Sequence, residues 1–183
     1  MSATSKLSLF CHPGSPCAAV QTIEVAATLG NEGLSLRYVV HGDPAAIRLP
    51  EPRPAQARDG LWQHSCCEAF IASAPGGEYR EFNFSPSGEW AAYRFTAYRE
   101  RDGAFAPARR PEIALRRHAT GFELTACLPR ELLPPGPEWH IGLTAVIEAG
   151  DGSKSYWALA HAAAQPDFHL HSSFSLILKA LGS

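Results

Sequence analysis

The residues best suited to chemistry lie in one short stretch, where Trp62 is followed six positions later by Glu68. Glu68 stands inside the apolar run 66–71, and a carboxylate among apolar neighbours is costly to bury unless it is paired or hydrogen-bonded. One interpretation is that Glu68 accepts hydrogen bonds from the hydroxyl groups of a ligand. The other is a buried ion pair with Arg80 or Arg94 that fixes the register of neighbouring strands.

Two tryptophans could supply the flat apolar surface that a hydroxylated ligand needs. The C–H face of a pyranose suits the negative face of an indole ring, and Trp62 and Trp157 are the candidates for such stacking. Trp62 lies three residues after the long Pro-rich stretch 42–59, and long ordered loops in compact domains tend to be functional. Trp157 has apolar neighbours and is equally consistent with a core position, whereas Trp90 and Trp139 are expected to serve packing.

Polar residues near Glu68 in sequence could form hydrogen bonds with ligand hydroxyls. Arg80, Asn83 and Arg94 could donate directional hydrogen bonds, although polar residues on a strand's outer face most often meet water. Catalysis is the less favoured class, because the sequence has no GxSxG, HExxH, phosphate-loop or GxGxxG motif. Glycoside hydrolysis would require a second carboxylate at a defined separation, and nothing in the sequence singles out Glu81 or Glu148 for that role.

A metal site is a weaker hypothesis. It would use residues that cluster late in the chain, namely His161, Asp167, His169 and His171. The five cysteines form no CxxC pair and are expected to be reduced and to pack as small apolar residues. We therefore expect no cofactor, with bound calcium or haem as open alternatives.

The composition limits the number of domains, the location and the partners that can be expected. The chain has 183 residues and a formal net charge of −2, which provides no basic field for nucleic acid or an anionic membrane. Its apolar runs fall short of the roughly 20 residues of a membrane-spanning helix, and the N-terminal residues do not resemble a secretory signal. These features predict one domain over residues 1–183, located in the cytoplasm, with a small molecule as its partner.

Short runs rich in β-branched and aromatic residues alternate with Pro- and Gly-rich turns, which predicts an all-β fold. In the segment 79–98 the alternation of apolar and polar residues across the turn 85–88 predicts a hairpin. About ten strands form an antiparallel β-sandwich of the jelly-roll kind. The expected strands span residues 20–28, 34–41, 64–73, 79–84, 89–99, 112–118, 121–128, 140–149, 154–160 and 173–178.

The order of these motifs resembles the DOMON-like superfamily, and within it the family 9 carbohydrate-binding modules and their uncharacterised bacterial relatives. The similarity covers about residues 20–178 and lies in the blocks 59–71, 79–90, 139–144, 155–160 and 166–169. It implies non-catalytic binding of a small hydroxylated ligand, most consistent with a sugar, and places Trp62 and Trp157 where sugar-binding members have an aromatic sandwich.

Two other functions stay open. Some superfamily members bind haem or act as redox domains, but Met1 is the only methionine here, so an iron would have to use His64, His140, His161 or His169. The third alternative is a structural or protein-interaction domain with no small ligand.

Overall fold

Alternating burial along several strands separates an inner face from an outer face. In one long strand, Ile23, Val25, Ala27 and Leu29 are almost fully buried while the residues between them are more exposed. The computed structural model describes residues 3–180. Its strands are β1 (Ala3–Cys11), β2 (Val20–Gly30), β3 (Gly33–Gly42), β4 (Ile47–Arg48), β5 (Cys66–Ala72), β6 (Tyr79–Phe84), β7 (Trp90–Ala97), β8 (Glu100–Arg101), β9 (Glu112–His118), β10 (Gly121–Pro129), β11 (Glu138–Ala149), β12 (Lys154–Ala158) and β13 (Leu176–Lys179).

The strands form two antiparallel layers joined by β1. The first layer has the order β1-β2-β3-β10-β9, and the second has the order β8-β7-β6-β5-β11-β12, with β4 and β13 also paired to β11. β1 pairs with β2 along most of its length, and its last residues, Phe10 and Cys11, pair with Ala158 and Trp157 of β12. The expected all-β antiparallel sandwich is confirmed.

The main core lies between the two layers. Leu36 and Val40 of the first layer and Ala69 and Ile71 of the second belong to one cluster of buried apolar side chains. Their burial removes apolar surface from water at about 25 cal/mol per Å², which is the main force holding the layers together. All five cysteines are free.

The observed strands follow the expected boundaries closely, and two of them, β6 and β9, agree to the residue. The hairpin of β6 and β7 is present, and Gly88, with φ of 93°, donates its N–H to the carbonyl of Ser85 across the turn. Three strands were not expected: β1, β4 and β8. The only helical segments among residues 3–180 are 3₁₀ turns at Leu61–Gln63, Arg130–Leu132 and His171–Ser173. None of these turns has the length or hydropathy needed to cross a membrane.

The second layer is buried on its outer face as well. Every residue of β5 is buried, and a second apolar cluster, which includes Phe70, Tyr93 and Phe95, lies on the side away from the main core. The turn Leu61–Gln63 and the segment 159–175 cover parts of this face. The space between these two coverings is the candidate site.

Candidate functional site

The outer face of the second layer carries a cleft of about 580 Å³. Its floor comes from β5, β6 and β11, and its sides come from β7 and β12, which have these three strands between them in the sheet. The side chains that line it are mostly aromatic or charged: Trp62, Gln63, Glu68, Phe70, Glu81, Tyr93, Phe95, Arg99, Arg101, Val146, Lys154, Tyr156, Pro166, Phe168 and His169.

Glu68 lies at the bottom of this cleft. Its Oε2 accepts a hydrogen bond of 3.2 Å from the hydroxyl of Thr144, the residue opposite it on β11. Its Oε1 is buried and has no hydrogen-bond partner within the described residues. Burial, with a smaller contribution from the neighbouring Glu81, raises the pKa of Glu68 well above its usual range, which favours the protonated, neutral form of this carboxyl.

Glu81 is the second carboxyl group of the floor. It lies on β6 and is the diagonal neighbour of Glu68 across the strands. Asn83 is directly opposite Glu68, and Glu81 is two residues before Asn83, opposite Phe70. The side-chain amide of Asn83 donates a 2.7 Å hydrogen bond to Oε1 of Glu81. Burial raises the pKa of Glu81 to about 7, because this hydrogen bond and the nearby arginines only partly offset desolvation.

A hydrogen-bond chain orients His169 against this floor. The Tyr79 hydroxyl accepts the backbone N–H of Arg99 at 3.1 Å and lies 2.8 Å from Nδ1 of His169. The arrangement that uses the hydrogen of this hydroxyl has it donating to Nδ1, with the ring proton on Nε2. This nitrogen lies 3.7 Å from Oε2 of Glu81. Burial lowers the pKa of His169 to about 4, so the ring is neutral at physiological pH.

Trp62 forms one side of the cleft and is held there by the end of the Pro-rich loop. Gly60, with φ of 78°, begins the 3₁₀ turn that carries Trp62. Asp59 anchors this turn to β7 by accepting a hydrogen bond from the Tyr93 hydroxyl, and it forms an ion pair of 3.4 Å with Arg101. The Trp62 ring meets Tyr93 edge to face at 6.3 Å and is 43% exposed. The long loop thus presents an exposed indole beside the floor carboxyls.

The far side of the cleft is built by β12 and the segment that follows it. The ring of Phe168 packs against Tyr156 and Phe70 at 6.1 and 6.3 Å. Asp167 holds Phe168 in place, because it accepts hydrogen bonds from the Tyr98 hydroxyl at 2.5 Å and from the backbone N–H of His169 at 3.0 Å. Aromatic rings therefore stand at both sides of the two carboxyl groups.

Trp157 is not part of the cleft, contrary to the expected pair of tryptophans. It is 5% exposed and belongs to the main core, where its indole N–H donates to the Ser155 hydroxyl at 2.9 Å. In β12, successive side chains point to opposite faces, so the residue that reaches the cleft is Tyr156. The structure brings together Trp62 and Glu68 and separates Trp157 from both.

Arg80 and Arg94 also lie on the wrong side of the sheet for the expected role. They are paired neighbours on β6 and β7, and each alternates with a residue that lines the cleft, Glu81 and Tyr93. Arg80 donates hydrogen bonds of 2.7 and 3.1 Å to two backbone carbonyls near Leu132, and Arg94 forms an ion pair with a loop aspartate. Neither contacts Glu68, so the alternative of a buried pair with either arginine is wrong as well. Asn83 lies on the cleft side, where it supports Glu81.

The four metal candidates do not converge. His161 contacts a backbone carbonyl of β1 at 2.8 Å, His171 accepts a backbone N–H through Nδ1, and Asp167 and His169 make the contacts described above. Within residues 3–180, no three His, Cys, Asp or Glu side chains are grouped to hold a metal ion. Among the candidate haem ligands, only His169 lines the cleft.

Most of the residues that line the cleft are not predicted from the sequence. Glu81 and His169 were candidates for other roles, and Tyr93, Tyr156 and Phe168 were not among the candidate site residues. The alternation of β7 could have indicated Tyr93, because Tyr93 and Phe95 are two residues apart and therefore lie on the same face of the strand. Nothing local indicates Phe168, since a loop places it.

A second cleft of about 540 Å³ lies on the other side of the Trp62 turn. Its two buried carboxylates already have partners. Glu89 pairs with Arg58 at 3.3 Å, and Glu148 contacts Arg48 and His64 at 3.2 and 2.7 Å. The unpartnered oxygen of Glu68 therefore distinguishes the first cleft as the candidate site.

Comparisons with known proteins support the fold. No protein-family model matches the chain, and no curated protein matches it. A solved structure with a similar fold is that of a protein from Bacteroides uniformis described as a "putative carbohydrate-binding protein". The two share 16% sequence identity with a TM-score of 0.65, over 96% of this chain and 85% of the other. At this identity the likeness shows a common fold, while the resemblance to the DOMON-like superfamily stays a prediction.

Proposed function

We propose that this protein binds a carbohydrate in the cleft between Trp62 and Phe168 without transforming it. The observation that carries the proposal is the buried, unpartnered Oε1 of Glu68 at the bottom of an aromatic-walled cleft. A buried polar atom without a partner costs about 1–3 kcal/mol, and buried polar groups in proteins are otherwise almost always satisfied. A ligand hydroxyl at this position supplies the missing hydrogen bond.

The chemistry of the cleft suits a sugar ring. In its protonated form, which burial favours, the carboxyl of Glu68 both donates and accepts, which matches hydroxyl groups that do the same. The exposed face of Trp62 and the ring of Phe168 offer apolar surface for the C–H faces of a pyranose. The volume of about 580 Å³ lies within the range typical of small-molecule sites. The Bacteroides uniformis protein of the same fold is described as carbohydrate-binding, which agrees with this assignment.

The test is a titration with a panel of mono- and disaccharides. Trp62 is the one exposed tryptophan, since the other three are at most 9% exposed, so a change in tryptophan fluorescence on binding reports on this cleft. Calorimetry then compares the wild type with Trp62→Ala and Glu68→Met. We expect each substitution to weaken binding at least tenfold, and the sugar to be recovered unchanged.

Phe10→Ala is the matched control, because Phe10 is an aromatic residue 63% exposed on β1 and outside the cleft. It should bind as the wild type does. The proposal is wrong if no sugar of the panel binds, or if both cleft variants bind as tightly as this control.

A further inference from the structure

We propose that the sugar bound in this cleft carries an acidic group, a carboxylate or a phosphate, which pairs with the ammonium group of Lys154. This inference rests on the proposed function and names the substrate class of the same site. It starts from the charges that line the cleft: three cationic side chains, Arg99, Arg101 and Lys154, and two carboxyls, Glu68 and Glu81.

Lys154 is the cation with no partner of its own. It is the first residue of β12 and lies on the same face as Tyr156, so both reach the cleft. Its neighbour across the strands is Glu148, which would normally pair with it. Instead, Glu148 is turned to Arg48 and His64. No carboxylate oxygen of residues 3–180 lies within 4.0 Å of the Lys154 ammonium.

The two arginines are already neutralised from outside the cleft. Arg99 pairs with Asp167 at 3.0 Å, and Arg101 pairs with Asp59 at 3.4 Å. The Arg101 guanidinium also lies 4.1 Å from the centre of the Tyr93 ring. Their remaining N–H groups suit ligand hydroxyls. A ligand anion is therefore attracted chiefly to Lys154, on the opposite side of the floor.

The floor carboxyls do not oppose such a ligand at neutral pH. Burial favours the protonated form of Glu68, and Glu81, whose pKa is raised to about 7, accepts a hydrogen bond from the amide of Asn83. A pyranose can then place a hydroxyl on Glu68 and its acidic group beside Lys154. The cleft is net cationic within a chain of net charge −2, so the preference for an anion is local.

The experiment uses matched sugar pairs in calorimetric titrations of the full chain. Glucuronate is compared with glucose, galacturonate with galactose, and glucose 6-phosphate with glucose, which separates the two acidic groups. We expect at least one acidic member to bind five or more times as tightly as its neutral partner, and this ratio to fall as salt rises from 20 to about 300 mM.

Three variants locate the effect. Lys154→Met should bring the acidic sugar to the affinity of its neutral partner, Lys154→Arg should keep the preference, and Lys6→Met, on the other layer, should change nothing. The inference is overturned if neutral sugars bind as well as acidic ones, or if Lys154→Met keeps the preference. In either case the proposed function stands, whereas failure of every sugar to bind overturns both.

Discussion

Glu81 and His169 form a pair whose opposite pKa shifts nearly cancel in the pH dependence of the protein's stability. The pKa of Glu81 rises from 4.5 to about 7 on folding, and that of His169 falls from 6.5 to about 4, in both cases mainly through burial. Between about pH 4.5 and 6.5 the unfolded chain holds one proton, on the histidine. The folded protein also holds one proton, on the carboxyl, so this pair makes stability nearly independent of pH in that window.

If either partner is replaced, the titration of the other is no longer compensated, and stability then depends on pH. A group whose pKa is raised by folding stabilises fully below its unfolded pKa, and this contribution is lost as pH rises through the folded pKa. In His169→Gln, therefore, Glu81 makes the free energy of unfolding fall, relative to wild type, as pH rises from 4.5 to 6.5. In Glu81→Gln, His169 must lose its proton on folding. This cost falls as pH rises over the same window, so the free energy of unfolding increases.

The expected size follows from the pKa values. A pKa difference of about 2.5 corresponds to about 3 kcal/mol over its full range, and the window from pH 4.5 to 6.5 covers most of it. Because the cleft is open to water, which screens these groups, we expect changes of roughly 1–2 kcal/mol, of opposite sign in the two variants.

Urea unfolding at pH 4.5, 5.5 and 6.5 measures these changes as differences from the wild type, so that the remaining titratable groups cancel. Glu32→Gln, at an exposed turn of the other layer, serves as the control and should follow the wild type. If both cleft variants also run parallel to the wild type, the two groups are not perturbed by burial and the reasoning fails.

Three further substitutions test the packing around the site by urea unfolding. Trp157→Ala should cost about 3 kcal/mol while leaving the sugar affinity of the folded protein unchanged, and lost affinity would show that the indole reaches the cleft. Gly142→Ala should destabilise by about 1–3 kcal/mol, because its Cβ would stand 2.8 Å from the Phe174 ring, and wild-type stability would mean that the ring moves freely. Arg80→Met should cost about 2 kcal/mol, because it leaves two backbone carbonyls without their donor. The sugar affinity of this variant should equal that of the wild type, and weaker binding would show that Arg80 reaches the cleft.

The strand pattern could be predicted from the sequence wherever one face is clearly apolar. In β6 and β9 the alternation and the flanking turns are strong enough to place both ends. β1 was missed because its serine, threonine and lysine residues obscure the alternation, and Leu9 is the one residue of 4–11 that is almost fully buried. β1 pairs with β2 along most of its length, but its last two residues pair with β12, about 150 residues away. No local pattern reports such a distant pairing.

The candidate site was predicted only in part, and the reason is strand register. The sequence indicated Trp62 and Glu68, since an exposed aromatic at a loop end and a carboxylate in an apolar strand are unusual. It could not decide between Tyr156 and Trp157, because both are aromatic and only the pairing with β11 shows which one faces outward. The same one-residue ambiguity misplaced Arg80 relative to Glu81.

The position of β1 has a consequence for how the molecule comes apart. Each layer is assembled from two separated stretches of chain, residues 3–42 with 112–129 and residues 47–101 with 138–179. β1 belongs to both layers, so separating them breaks the backbone hydrogen bonds that β1 makes either with β12 or with β2. A single cleavage of the chain therefore separates neither layer as an intact unit. We expect heat or denaturant to unfold both layers in one transition.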